Sequence, residues 1–318
     1  MELEAYKAMS NKELTARIRK AKAEKNAVIL AHNYQVLDVQ RVADHLGDSL
    51  ALSRIAAATD ADLVVFCGVD FMAESAKILA PEKTVLLPEI KATCPMAAMV
   101  TPGALADARA RNPEKTVVAY VNTTARVKAL TDICCTSANA VNVVKSLGER
   151  DILFIPDRNL GHYVRAMTGA AITLWDGYCY VHNYFTVQDV ERSRAAHPEA
   201  VLIVHPECPP EVIERADHVF STSGMAKYVA GIEDDEEKRR GVIIGTEIGL
   251  VQQLREHYTD INLWPLNVFA ICGTMKLTTL AKVCWSIETG NYEITLPEDI
   301  IEKARHSLVK MTSFFSSE

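Results

Sequence analysis

The chain has no apolar stretch approaching the roughly 18 residues that a membrane-spanning helix needs. Its first residues also lack the charged, apolar and small-residue order of a secretion signal. Both absences predict a cytoplasmic protein with no membrane partner. No block of five or more basic residues occurs, and the formal charge is −7. Nucleic acid is therefore not an expected partner, although local positive pockets for anions remain open. None of the eight cysteines stands in a CxxC pair, which disfavours a zinc ribbon. A reducing cytoplasm disfavours a disulfide scaffold. With no low-complexity linker anywhere in the 318 residues, domains must pack tightly rather than hang on tethers.

A hydrophobic content of 49% suffices for two or three cores in a chain of this length. Short β-branched runs alternate with helical stretches, the pattern of βαβ units and parallel sheets. Strands are predicted near 28–31, 62–67 and 84–87 with a short one before Ser49, near 117–121, 132–135, 151–155 and 171–174, and near 201–204, 217–221, 241–245 and 261–264. Helices are predicted near 38–45, 50–59 and 70–79, and starting near Ser137 and Asn159. Leu14, Ile18 and Ala21 mark an amphipathic helix over 10–25. Pro297, Glu298 and Asp299 open a C-terminal helix whose stripe, Ile300, Ala304, Leu308 and Met311, is expected to pack on the first unit.

The sequence also repeats itself. VILAHNY (28–34), VVAYVN (117–122) and VLIVHPE (201–207) are apolar runs that break into polar side chains. Seventeen residues after a matched position in each comes a hydroxyl: His32 to Ser49, Tyr120 to Ser137, His205 to Thr222. Further on, each unit delivers a cysteine: Cys94, Cys179, Cys272. Periods beyond about 50 residues exceed solenoid repeats, so three similar small domains are expected.

Ligands of open α/β sheets bind beyond the carboxyl ends of the strands. There the pairs His32 and Tyr34, Tyr120 and Asn122, and His205 and Glu207 are two residues apart, which in extended chain directs both members to one side. Ser49, Ser137 and Thr222 stand at strand-to-helix junctions, where a capping hydroxyl and free N–H groups suit phosphate or carboxylate; Asn139 and Gly224 lie close by. Cysteines 85 and 93 residues apart cannot make a local knuckle. They suit a 4Fe-4S cluster with one iron left open as a Lewis acid, or zinc with a water in its fourth position. Cys67 and Cys284 read as core, and Cys134, Cys135 and Cys208 as packing near the site loops.

The strings LAHNYQ (30–35), GDSL (47–50), GVDFMAE (68–74), ATCPMA (92–97), YVNT (120–123), CTSANA (135–140), PDRNLG (156–161), HPECP (205–209) and IGTEIG (244–249) together resemble the quinolinate synthase family of NAD biosynthesis. The resemblance runs from about residue 28 into the C-terminal helix. It implies an α/β fold of three αβα domains with parallel sheets in pseudo-threefold arrangement around a central site. The domains expected are 1–93 with 290–318, 94–179, and 180–289. A 4Fe-4S cluster would be held by Cys94, Cys179 and Cys272. Two strings depart from the family pattern: Tyr180 follows Cys179 where proline is common, and Gly273-Thr274 replace more polar or cysteine-containing residues.

The reaction so implied condenses iminoaspartate with dihydroxyacetone phosphate to quinolinate, phosphate and water. An L-aspartate oxidase or aspartate dehydrogenase is implied as supplier of the imine. His32, His205 and Glu207 would be acid–base groups, Tyr34 and Tyr120 proton donors or gates, and Asn122 an orienting amide. Ser49, Ser137 and Thr222 would hold phosphate and carboxylates. Another iron–sulfur hydro-lyase, or a metabolite-binding protein with a structural metal, stays open as the alternative.

Overall fold

The computed structural model describes residues 2–148 and 150–312. Three sets of four strands form: β1 (Ala27–His32), β2 (His45–Gly47), β3 (Leu63–Cys67) and β4 (Thr84–Leu86) first. Then come β5 (Thr116–Tyr120), β6 (Ile133–Cys135), β7 (Ile152–Ile155) and β8 (Ile172–Leu174). The last set is β9 (Val201–Val204), β10 (His218–Val219), β11 (Val242–Gly245) and β12 (Leu263–Pro265). The three sheets are entirely parallel and share one topology, β2-β1-β3-β4, β6-β5-β7-β8 and β10-β9-β11-β12. Strands β3, β7 and β11 are buried along their whole length, as expected where helices cover both faces of a parallel sheet. The fold is α/β with three similar layered units.

One device recurs in all three. Asp44, Asp132 and Asp217 accept the main-chain N–H of Ile29, Val117 and Leu202 at 2.8, 2.8 and 2.7 Å. Each aspartate also meets a base from a preceding helix: Lys22, Arg109 at 2.9 Å, and Arg194 at 3.1 Å. Half-exposed ion pairs of this kind contribute about 1 kcal/mol or less. Their bond to the strand matters more, because it clips the approach to the second strand onto the first and so fixes which edge it joins.

The helix expected at 38–45 shrinks to one turn, Leu37–Gln40, because the chain must return at once to form edge strand β2. The same short turn recurs at Ala125–Lys128 and Pro210–Ile213. Asn11–Glu24 buries Leu14, Ile18 and Ala21 against the first sheet and the helix Leu280–Thr289.

The C-terminal helix, Glu298–Thr312, packs on the first unit as expected and on the second as well. Ala304, Leu308 and Met311 are fully buried, and the helix lies on β6 and Ala125–Lys128 of the second unit as well as on Asp70–Leu79 of the first. Polar contacts specify the seat. Ser307 donates to the Lys128 carbonyl at 3.1 Å, and Asn139 donates to the Met311 carbonyl at 3.2 Å. Edge strand β6 would otherwise expose an apolar face, and this stripe covers it. Among the described residues no helix is long and apolar enough to cross a membrane.

Candidate active site at the meeting point of three sheets

All twelve side chains singled out from the sequence line one cavity. His32 ends β1, Tyr120 ends β5 and His205 follows β9, so the matched strand ends of three units face one another. His32, Tyr120, His205, Glu207 and Thr222 are each less than 8% exposed. The amide oxygen of Asn122 is buried in the same wall without a hydrogen-bond partner. An orphaned acceptor of this kind costs about 1–3 kcal/mol unless something fills it. It points to a bound molecule with a hydrogen to give.

Two imidazoles are oriented by one geometry. His32 Nδ1 accepts the N–H of Tyr34 at 3.1 Å, and His205 Nδ1 accepts that of Glu207 at 3.3 Å. A neutral ring whose Nδ1 accepts carries its proton on Nε2. Burial brings His32 down to about 4 and, with help from His182, His205 down to about 3. At neutral pH both are uncharged donors aimed by their own backbone.

Glu207 anchors a chain of contacts. Its Oε2 lies 2.6 Å from His182 Nδ1, and the Tyr120 hydroxyl donates to the same carboxylate. Because a carboxylate only accepts, the proton is on Nδ1 of His182. His182 Nε2 then meets Thr246 Oγ1 at 2.9 Å, which in turn meets the Tyr34 hydroxyl at 2.7 Å. The His182 ring also stacks on His205, centroids 4.4 Å apart. Burial works to raise Glu207, yet His182 and His205 beside it hold it down to about 2. Tyr34 and Tyr120 are pushed up by burial first and by Glu207 next. The phenols remain protonated donors beside an ionised carboxylate.

Sequence reasoning missed His182 and Thr246. His182 stands three residues past Cys179, and Thr246 lies within IGTEIG; neither belongs to the repeat of strand ends that drew attention to the others.

The hydroxyls are placed differently from expectation. Asp48, not Ser49, caps its helix by accepting the N–H of Ala51 at 2.9 Å, and Ser221, not Thr222, accepts that of Gly224 at 3.1 Å. In the middle unit Asn139 accepts the N–H of Thr136 at 2.7 Å, and the helix begins only at Ala140. A residue that caps spends its oxygen on the helix. Ser49 and Thr222, each one position after such a cap, and Ser137, in the turn before its helix, are spared that duty and line the cavity. Thr222 accepts from Asn33 at 3.2 Å, and Ser223 donates to Asp48 at 2.7 Å, tying the first unit to the third.

Cys94, Cys179 and Cys272 are half-buried on the cavity wall, whereas the other five cysteines are buried in the interior. They lie close enough for Cys94 and Cys272 both to disfavour ionisation of Cys179. Burial first, and Cys272 with it, pushes the Cys94 thiol up to about 12. Each cysteine precedes one turn of 3-10 helix, Ala97–Met99, His182–Tyr184 or Met275–Leu277. The N–H of Ala97 bonds to the sulfur of Cys94, and that of His182 to Cys179. Three soft thiols from three units, lined by Met72, Met96, Val181 and Met275, fit a thiolate-bound metal centre. Cys179, His182 and Glu207 also have donor atoms within 4.8 Å of one another. Both ring nitrogens of His182 are already engaged, so the trio of thiols is the better donor set.

The family model described as Quinolinate synthetase A protein matches residues 16–313. The chain belongs to that family. It is 52% identical to a quinolinate synthase of Methanoregula boonei over 94% of this chain and 97% of that protein. It is 48% identical to one of Thermococcus onnurineus, covering 95% and 99% of the two chains. A third, from Thermodesulfovibrio yellowstonii, is 47% identical over 93% and 96%. Family membership makes this chain an enzyme.

Proposed function

We propose that the protein condenses iminoaspartate with dihydroxyacetone phosphate to quinolinate, phosphate and water in the cytoplasm, with a 4Fe-4S cluster held by Cys94, Cys179 and Cys272. Such a cluster, when bound, supplies one open iron as a Lewis acid without net redox change. The observation that carries the reading is the convergence of three different strand-end pairs on one cavity beside three half-buried cysteines.

The residues divide the work by chemistry. Ser49, Ser137 and Thr222, beside the first turns of their helices, hold the phosphate and carboxylates. Asn122 gives its unpaired oxygen to a hydrogen of the substrate. His32 and His205, as Nε2–H donors, polarise carbonyl or carboxylate oxygens. Glu207 takes protons as a general base, with Tyr34 and Tyr120 returning them. An aspartate-oxidising enzyme would supply the short-lived imine.

Anaerobic purification followed by a quinolinate and phosphate assay tests this reading. Brown, iron-loaded protein that forms quinolinate from the two substrates is the expected result. Colourless zinc-loaded protein without turnover would overturn it in favour of a binding protein.

A further inference from the structure

We propose that Asp70, Asp157 and Glu247 are positioning residues that hold the three cysteine loops in place, each by accepting the main-chain N–H of its cysteine. The proposal rests on the reading of Cys94, Cys179 and Cys272 as cluster ligands. Asp70 accepts from Cys94 at 3.3 Å, Asp157 from Cys179 at 3.0 Å and Glu247 from Cys272 at 3.1 Å. The same three carboxyls accept from the first turn of the helix that follows the third strand of each sheet. The partners there are Phe71 at 2.8 Å, Leu160 at 2.7 Å and Gly249 at 2.6 Å.

Each acid therefore couples two places that chain connectivity leaves 22 to 25 residues apart. One is a helix start rooted in the sheet; the other is the loop that presents the thiol. A cysteine sulfur is one rotatable bond from its Cα, so anchoring the N–H largely sets where the sulfur goes. Capping alone would not need the second bond. Asp157 and Glu247 are also wholly buried, a costly place for a carboxyl unless both oxygens are used. Groups that orient metal ligands typically change metal affinity by about 10- to 100-fold when replaced.

The three sites differ in how the carboxyl oxygens are shared, which makes the idea testable, and Glu247 alone also pairs with a base, Lys276 at 2.9 Å. Asp157 uses Oδ1 for the helix and Oδ2 for the cysteine, and Glu247 uses Oε2 and Oε1. Asp70 takes both N–H groups on Oδ1 alone. An amide has one acceptor oxygen and one donor nitrogen. Asp157→Asn and Glu247→Gln must then leave one N–H facing another donor, whereas Asp70→Asn keeps the oxygen that serves both. Asp70→Ala removes it.

The experiment compares these four variants as anaerobically loaded holoenzymes. Cluster loss in chelator is followed by visible absorbance, the reduced cluster by electron paramagnetic resonance, and the cluster-free chains by thermal melting. Asp157→Asn, Glu247→Gln and Asp70→Ala are expected to lose the cluster about 10-fold faster or more, with altered resonance line shape. Asp70→Asn should show the mildest change of the set. Equal damage from Asp70→Asn and Asp157→Asn would reduce the effect to lost charge and overturn the proposal. So would wild-type cluster lifetime and line shape in Asp157→Asn, or cluster loss that only tracks a lower melting point. Should Asp157→Asn fail to fold, Glu247→Gln set against the two Asp70 variants decides, with Lys276→Met as the control for the ion pair that Glu247→Gln also loses. Wild-type protein carrying zinc and no iron removes the cluster reading and this proposal together; a normal wild-type cluster with unaffected variants removes this proposal alone.

Discussion

His182 Nδ1 and Glu207 Oε2 meet at 2.6 Å, joining the loop that presents Cys179 to the strand end of the third unit. Tyr120 donates to the same carboxylate, and the His205 ring stacks on that of His182. A base held this way is ionised and aimed before substrate arrives.

Replacing it should therefore cost turnover more than binding. Glu207→Gln is expected to lower kcat by about 10²–10⁴-fold, the usual worth of a general base, with a smaller change in KM. Thr246→Val, which breaks the far end of the chain through His182, should have a milder effect on kcat. Steady-state quinolinate formation measures both. A Glu207→Gln enzyme whose KM rises while kcat holds would make the residue a binding group.

Acid should destabilise the fold through two imidazoles. His32 and His205 are brought down to about 4 and 3 by burial, from an ordinary value of about 6.5. Between those values the unfolded chain binds more protons than the folded one, so stability rises with pH. It is fully present above about pH 6.5 and drains away as pH falls toward 4 and then 3, at up to about 1.4 kcal/mol per pH unit for each ring. Glu207, held to about 2, adds a separate loss below the ordinary carboxyl range of about 4.3. Denaturant titrations across this range should show the slope, and His205→Gln should flatten the part between pH 6.5 and 3 by one proton.

Cysteine replacements should fall into two classes. Cys94→Ser, Cys179→Ser or Cys272→Ser is expected to abolish quinolinate formation and disturb the cluster while leaving the fold. Cys67→Ser, in a fully buried strand, should instead lower stability by about 1–3 kcal/mol as a hydroxyl enters an apolar core, with the cluster kept. Iron analysis beside denaturation curves separates the classes. Full activity in Cys179→Ser would refute the ligand assignment.

The hydroxyls predict a KM effect. Ser49→Ala and Thr222→Val should each weaken capture of an anionic substrate by one hydrogen bond, about 0.5–1.5 kcal/mol, with kcat little changed. Their helices should survive, because Asp48 and Ser221 do the capping. A matching fall in melting temperature would contradict that division.

The repeat made much of the architecture legible. Buried β-branched runs mark eleven strands near their observed places, a twelfth is read just before Ser49, and the constant spacing from strand end to hydroxyl marks the cavity. That spacing stays constant because the clip at Asp44, Asp132 and Asp217 fixes the path between those points in every unit. The acids at 70, 157 and 247 stayed hidden, since their distances to the cysteines are 24, 22 and 25 residues and loops of unequal length blur the pattern. Ser49 and Thr222 were placed one residue off their role because a hydroxyl at a helix start looks the same as cap or as neighbour of a cap. The seat of the C-terminal helix depended on which sheet edge lay bare, a tertiary fact that the stripe of Ile300, Ala304, Leu308 and Met311 does not encode.

The three sheets have one topology, yet the matched strand ends carry His32, Tyr120 and His205, followed by Tyr34, Asn122 and Glu207. A trimer of identical short chains would surround its axis with three copies of the same side chain and offer every substrate atom the same reception. Fusing the units into one polypeptide frees each wall to change by itself. A symmetric scaffold thereby gains a handed interior, able to tell one end of an unsymmetrical substrate from the other.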